Sequence, residues 1–315
     1  QLIQGKGETS GKLLVEELKY DKLSFTGSAE VGNLVASVAA GRGKPAYKEA
    51  GGHAAIVVLD DFDIDLAVAE AINANLGDSG QRCVSARVVF VQDSYSRYKK
   101  FVNKYVEHAR ARVIGNPMDF STEMGPLISR EQLERVKDQI ERTSKKLGKW
   151  LKHKGNASYY SLGGYYCKPT LFTDVPYGVT AMDEEIFGPV MVINPLPGKN
   201  REEAFWNAAQ LVNESRYGLS NSLLTNDRRL ASRAPWHFQS GIFYIGRGTT
   251  GAELNKYFGG VKNSGWGREG KGLDEWTQIM QVYDDYHGKA RMAQAGADEK
   301  VKKDLSEAKS PLESD

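Results

Sequence analysis

Apolar and polar positions alternate along Leu23-Ser24-Phe25-Thr26, and the run stops at Gly27-Ser28, the pattern of a strand feeding a turn. The Ala-rich apolar stretch from Val31 to Ala40 reads as the helix behind it, broken at Gly43-Lys44-Pro45. Ala54 to Leu59 is short and wholly apolar, which predicts a buried strand. Asp60-Asp61-Phe62-Asp63 supplies capping acids for a helix from about Ile64 to Leu76. Ala86 to Val91 predicts the next strand, and Ser94 to Arg112 carries helical periodicity. Gly115-Asn116-Pro117 is a loop, and Ser129 to Lys146 is a charged amphipathic helix that faces solvent. The stretch 163–169 leads to another edge; Val190 to Ile193 and Gly241 to Ile245 read as strands. Arg201 to Asn213 reads as a helix entered through Asn200. Strands alternating with helices at this spacing predict an α/β fold with mostly parallel sheets.

A chain of 315 residues is long enough for two domains or one large one, and 40% apolar with 26% charged residues is ordinary for a globular enzyme. A net charge of +2 gives no reason to expect a nucleic-acid partner. No stretch approaches the ~20 apolar residues that cross a bilayer. The cysteines are Cys83 and Cys167, which points to a reducing compartment rather than a disulfide. The chain opens on Gln1-Leu2-Ile3 with no initiator Met and no signal pattern, and reads as starting inside a domain. From about Ala290 to Asp315 it is rich in Lys, Glu, Ala and Ser, the composition of a charged, disordered tail.

Five short segments carry candidate chemistry. Gly27 and Gly32 lie where a strand becomes a helix, and N–H groups there attract a phosphate. Ser28 can cap that helix or bond a phosphate oxygen; an ordinary strand–helix turn has the same look. Glu49 stands beside the Gly51-Gly52 turn, whose glycines let backbone approach a bound group, although a solvated or capping glutamate fits too. Cys83 follows Ser79-Gly80-Gln81-Arg82, poor core formers, so it reads as a nucleophile rather than a small buried hydrophobe. Arg82 is expected to lower the thiol's pKa. Glu184-Glu185-Ile186-Phe187-Gly188-Pro189 offers acids for ribose hydroxyls and a ring for stacking, or is a surface turn. Phe258-Gly259-Gly260 opens a glycine-dense stretch, either tightly packed or flexible. A thiolate with a carboxylate suits covalent acyl chemistry: sulfur attacks a carbonyl carbon, and the acid later activates water. No metal ligands are read from the chain.

In this order the five segments resemble the aldehyde dehydrogenase superfamily, over about residues 1 to 287. The resemblance implies an α/β fold in which residues 1–51 are the C-terminal half of an NAD(P)-binding domain and 52–262 the catalytic domain. A return segment at 263–289 holds an oligomerisation strand near Gln278 to Tyr286, and 290–315 is the tail. It implies NAD(P)-dependent oxidation of an aldehyde through a cysteine thioester, with Cys83 as nucleophile and Glu49 as base. Gly27, Ser28, Gly32, Gln132, Glu185 and Phe187 would bind NAD or NADP. Gly80 to Cys83 with Ser85-Ala86-Arg87, Thr250-Gly251-Ala252-Glu253 and Asp274-Glu275-Trp276-Thr277-Gln278 are similar to the antiquitin branch, the α-aminoadipic semialdehyde dehydrogenases. That implies an ω-semialdehyde whose amino-acid end is held by Arg82, Gly251 and Ala252; for Arg82 a structural salt bridge is the other reading. The implied partners are a small-molecule aldehyde and further copies in a homodimer or homotetramer, with neither nucleic acid nor membrane. The compartment is cytoplasm or mitochondrial matrix.

The family usually carries a longer N-terminal region. It holds the rest of the nucleotide sheet, a ribose-binding lysine and an oxyanion-hole asparagine. Two readings follow: part of an ordinary enzyme, inactive by itself, or an inactive remnant used as a binding or assembly module. Lys48 and Ala50 replace the larger apolar groups usual beside the base, and Tyr257 stands where a proline or small residue is commoner.

Overall fold

The computed structural model describes residues 1–92, 95–147, 163–267, 273–282 and 284. It divides into a unit Gln1–Trp276 and a second unit Thr277–Asp315. After a short helix α1 (Lys12–Glu16), strand β1 (Leu23–Gly27) leads through helix α2 (Ala29–Gly41) to strand β2 (Ala46–Ala50), which pairs parallel to β1. Ser28 Oγ accepts the Val31 N–H at 3.3 Å and caps α2. Strand β2 has no apolar alternation to announce it. It puts Lys48 and Glu49 into the interior at 1% and 5% exposure. Glu49, beside the glycine turn in the sequence, belongs to the strand, and the turn follows it.

The chain passes from β2 directly into strand β3 (Ala54–Val58), which starts a larger sheet. Helix α3 (Ile64–Leu76) follows, with Asp63 accepting the Leu66 N–H at 2.8 Å. Then come strand β4 (Ala86–Gln92), helices α4 (Tyr95–Ala111) and α5 (Arg130–Leu147), strand β5 (Thr170–Thr173), helix α6 (Thr180–Asp183) and strand β6 (Val190–Leu196). Helix α7 (Arg201–Glu214) is entered through Asn200, as its pattern predicts, with the Glu203 N–H on its amide oxygen at 2.9 Å. Strands β7 (Tyr217–Gly218) and β8 (Ser220–Leu224), helix α8 (Arg228–His237) and strand β9 (Ile242–Ile245) complete this region. The order β5-β6-β4-β3-β8-β9 is parallel throughout.

Both faces of the six-stranded sheet are covered, which explains its near-continuous apolar strands. Ile56 and Val58 pack with Val68, Ile72 and Phe101 of α3 and α4, whereas Ala55 and Val57 pack with Val136, Phe205 and Leu230 on the other side. Each such aliphatic side chain contributes about 1.5–3 kcal/mol by leaving water. Helix α5 is amphipathic as expected, yet it buries Val136, Gln139 and Thr143.

Strand β10 (Val261–Lys262) pairs with β7, and strand β11 (Gly265–Trp266) returns antiparallel to β2, ahead of helix α9 (Leu273–Trp276). Residues 277–282 form no strand, contrary to the expected oligomerisation strand; 283, 285 and 286 lie outside the described residues, as does 290–315. Among the described residues no helix is long and apolar enough to cross a membrane.

Candidate active site

The candidate residues gather where the carboxyl edge of the small sheet meets the amino edge of the large one. Glu49 is the penultimate residue of β2, Gly51-Gly52 lead into β3, Cys83 precedes β4 and Glu185 precedes β6. Gly52 is the common point. Its N–H donates to Glu185 Oε1 at 3.0 Å. A Cβ on it would lie 2.5 Å from the Cys83 carbonyl oxygen, and one on Gly51 would lie 1.7 Å from Glu185 Oε2. Only glycine lets strand, thiol loop and carboxylate close on one another here. Glu49 Oε2 accepts the Gly260 N–H at 3.2 Å, so the Phe258-Gly259-Gly260 stretch is packed against the acid.

Cys83 is half-buried and both cysteines are free. The turn before it is built from positive φ, 55° at Ser79 and 68° at Gly80, with the Ser79 hydroxyl bonded to the Gly125 carbonyl at 2.8 Å. A side chain at Gly80 would strike the Gly188 carbonyl. Burial pushes the Cys83 thiol pKa above its ordinary value, and the Glu185 and Glu49 carboxylates push it further; the Cys83 and Val84 N–H groups oppose this. The expected lowering by Arg82 does not occur. Arg82 is exposed, and its guanidinium is ion-paired with Asp78.

The cation near the thiol is Arg87, a residue whose role the sequence reading missed. It is 2% exposed, and burial lowers its pKa to about 10 against the pull of Glu185 and Cys83. An arginine within the apolar run from Ala86 to Val91 was the available signal. Burial raises the Glu185 pKa, opposed by Arg87, the Gly52 N–H and Arg135. Glu184, beside it, is held by Arg142 of α5 at 3.0 and 3.1 Å.

A cleft of about 850 Å³ opens beside Glu185, lined also by Ser28 at the head of α2, Asn33 of α2, the cations Arg135 and Arg216, and the acids Glu184 and Glu214. Cys83 and Glu49 do not line it; Glu185 stands between. A dinucleotide needs an anion site and an acceptor for ribose hydroxyls. The N-terminus of α2 and the Glu185 carboxylate present both across one cleft, so the residues fit. The other expected cofactor residues make contacts within the chain. A Cβ on Gly27 would strike the Phe25 ring at 2.5 Å, and one on Gly32 would strike Lys48 Cδ at 2.6 Å. Both glycines therefore make room for side chains of the small sheet. Lys48 threads past Gly32, donates to Asn33 Oδ1 at 2.7 Å and lies 4.1 Å from the Trp266 ring centroid. Gln132 donates to the Phe187 carbonyl at 2.8 Å, so it positions the loop that carries Phe187.

On the opposite side, Thr249 Oγ1 donates to the Val84 carbonyl at 2.7 Å and ties the 247–252 turn to the nucleophile loop. Gly251 has φ 97° and, with Ala252, stands exposed on that turn. No cluster of His, Cys, Asp and Glu among the described residues has a metal-binding arrangement.

Known proteins resemble this chain over most of its length. The chain is 38% identical over 286 residues to the mitochondrial aldehyde dehydrogenase of Sus scrofa, covering 89% of this chain and 52% of that protein. It is 36% identical over 284 residues to the betaine aldehyde dehydrogenase of Rhizobium etli, covering 90% and 56% respectively. The solved structure of betaine aldehyde dehydrogenase from Staphylococcus aureus in complex with NAD+ superposes with a TM-score of 0.79 at 30% identity, over 87% of this chain and 53% of that one. The chain spans about half the length of the relatives it matches. With the profile of the aldehyde dehydrogenase family matching residues 1–282, across the three-stranded and six-stranded sheets and every motif around Gly52, the chain belongs to that family.

Proposed function

We propose that the site oxidises an aldehyde to a carboxylic acid, with NAD or NADP as oxidant, through a thioester on Cys83. The observation that carries this reading is the convergence at Gly52, which touches the Cys83 carbonyl and bonds Glu185 within three residues of Glu49. In the same reading, residues 1–51 with the returning β11 are the cofactor side and 52–262 the catalytic side.

Cys83, as thiolate, adds to the aldehyde carbon. In this reading the Cys83 N–H stabilises the tetrahedral oxyanion. Ser28 at the head of α2 and Glu185 would hold NAD or NADP, which would supply the hydride acceptor when bound. Loss of hydride leaves Cys83 acylated. Glu49 then takes a proton from water, which attacks the thioester and releases the acid and the thiol.

The two halves of this chemistry separate in an assay that needs no cofactor. An activated aryl ester should acylate Cys83 directly. Cys83→Ser should show no acyl adduct by mass spectrometry, while Glu49→Gln should keep the adduct and lose turnover by about 10²–10⁴-fold. Undiminished turnover by the Cys83→Ser variant removes the nucleophile from the reading.

The substrate is proposed to be an ω-semialdehyde such as α-aminoadipic semialdehyde. Supporting this is the turn at Gly251-Ala252, tied to Val84 through Thr249; Arg82 would have to leave its ion pair with Asp78 to meet a carboxylate. Arg82→Ala should raise KM for the acid-ended aldehyde by about tenfold and leave a neutral aldehyde nearly unaffected. Equal losses on both would exclude the clamp.

A further inference from the structure

Arg87 is a charged residue in the interior of β4, a strand buried along its whole length. Its Nη1 donates to the Gly188 carbonyl at 3.3 Å, and its Nη2 to the Arg82 carbonyl at 3.0 Å. The guanidinium carbon lies 5.7 Å from the Phe187 ring centroid. Nε finds no acceptor among the described residues. One side chain thus ties the loop that ends in Cys83 to the loop that begins with Glu185.

Burying a cation with an incomplete set of hydrogen bonds is strongly unfavourable. A neutral amide could make the two carbonyl bonds without that cost. What a neutral residue lacks is charge, so the surroundings decide what the charge does. Arg87 faces Glu185 and Cys83, which it attracts as anions, and His53, whose protonation it opposes. The Cys83 thiol faces Glu185 and Glu49, which oppose its ionisation, and the N–H groups of Cys83 and Val84, which favour it; the guanidinium of Arg87 sits on the carbonyl of Arg82, the residue before Cys83, and its own charge is favoured by Cys83. A thiolate there would be one more anion beside two carboxylates.

We propose that Arg87 is the positioning residue of this site: its guanidinium pins the Cys83 loop to the Glu185 loop and serves as the counter-charge that Cys83 and Glu185 share. The inference rests on Cys83 being the nucleophile. It gives a role to a residue that touches neither substrate nor reacting atoms, and it makes the thiol's ionisation depend on a side chain in the core of the sheet.

The test uses the 315-residue chain and needs no dehydrogenase activity. Alkylation of Cys83 by iodoacetamide is followed across the thiol range by peptide mass analysis, with buried Cys167 as internal reference. Arg87→Gln keeps donors but removes the charge. It should move the Cys83 midpoint up by about one pH unit, roughly tenfold less modification at fixed neutral pH. Arg87→Lys keeps the charge and should move it less. Glu185→Gln removes a competing anion and should move it down. A purely structural role predicts something else: faster alkylation of Cys83 and Cys167 together, with no midpoint shift. That result overturns the proposal, as does a wild-type midpoint in Arg87→Gln. If Arg87→Gln does not fold, a midpoint in Glu185→Gln that stays or rises overturns it. An unmoved midpoint alongside full dependence of ester turnover on Cys83 removes only the role of Arg87. Turnover without Cys83 removes the nucleophile itself.

Discussion

A methyl group added at position 51 would fall on the Glu185 carboxylate, and one at 52 on the Cys83 carbonyl. At the residue scale this site is therefore made by what is left out. His53, next along the chain, shows the electrostatic side of the same crowding. Its Nε2 lies 3.0 Å from the Ala181 carbonyl, so that nitrogen carries the proton and donates. Burial, with Arg87 nearby, lowers its pKa from 6.5 to about 4. The unfolded chain therefore binds a proton between those values that the folded chain refuses. Stability is full above pH 6.5 and falls as pH drops through that window to about 4. At 1.36 kcal/mol per unit the loss is on the order of 3 kcal/mol. His53→Gln should flatten the urea midpoint between pH 7 and pH 4 by about that amount, relative to wild type. Parallel curves for the two proteins would show that His53 is not the group responsible.

At the element scale, β8 shows how polar strands can serve a site. Ser220 Oγ donates to the Thr249 carbonyl at 2.7 Å, the Ser222 hydroxyl to the Arg247 carbonyl, and Asn221 accepts the Ala55 N–H at 2.9 Å. The strand thus carries the 247–252 turn that Thr249 fastens to Val84. Thr249→Val keeps the volume and leaves the buried Val84 carbonyl without its hydroxyl donor. It should lower stability by about 1–3 kcal/mol in urea unfolding and speed alkylation of Cys83 by loosening its loop. An unchanged rate would detach that turn from the nucleophile. The same polar side chains explain what the sequence concealed. Apolar strands such as Ala54 to Leu59 and capped helices such as Ile64 to Leu76 announce themselves locally. Strand β2, with Lys48 and Glu49, and strand β8, Ser-Asn-Ser, do not, because their partners lie far along the chain: Gly260 is 211 residues from Glu49, and Asn221 is 166 from Ala55. Cys83, Glu49 and Glu185 were legible as motif residues. Arg87 was not, since its meaning depends on Gly188, 101 residues away.

At the scale of the whole chain, two sheets of unequal protection share one working edge. The six-stranded sheet is packed on both faces, whereas β1 is largely exposed and α2 leaves Val31 and Leu34 in solvent. Native-state hydrogen exchange should therefore be slowest in β3, β4, β6 and β8 and markedly faster in β1 and α2. A ligand that spans the cleft would tie the weaker sheet to the stronger one at particular amides. These are the first turn of α2 after Ser28 and Gly52, whose N–H already faces Glu185. Adding NAD or NADP should slow exchange at those positions and leave β5, at the far edge of the large sheet, unchanged. Slowing spread evenly over both sheets would speak for general stabilisation instead of a cleft ligand. No slowing at α2 or Gly52, at cofactor concentrations that saturate the family's enzymes, would mean that half of the family's length does not hold the cofactor by itself. The fold would then supply the thiol chemistry alone, and the ester assay would still report it.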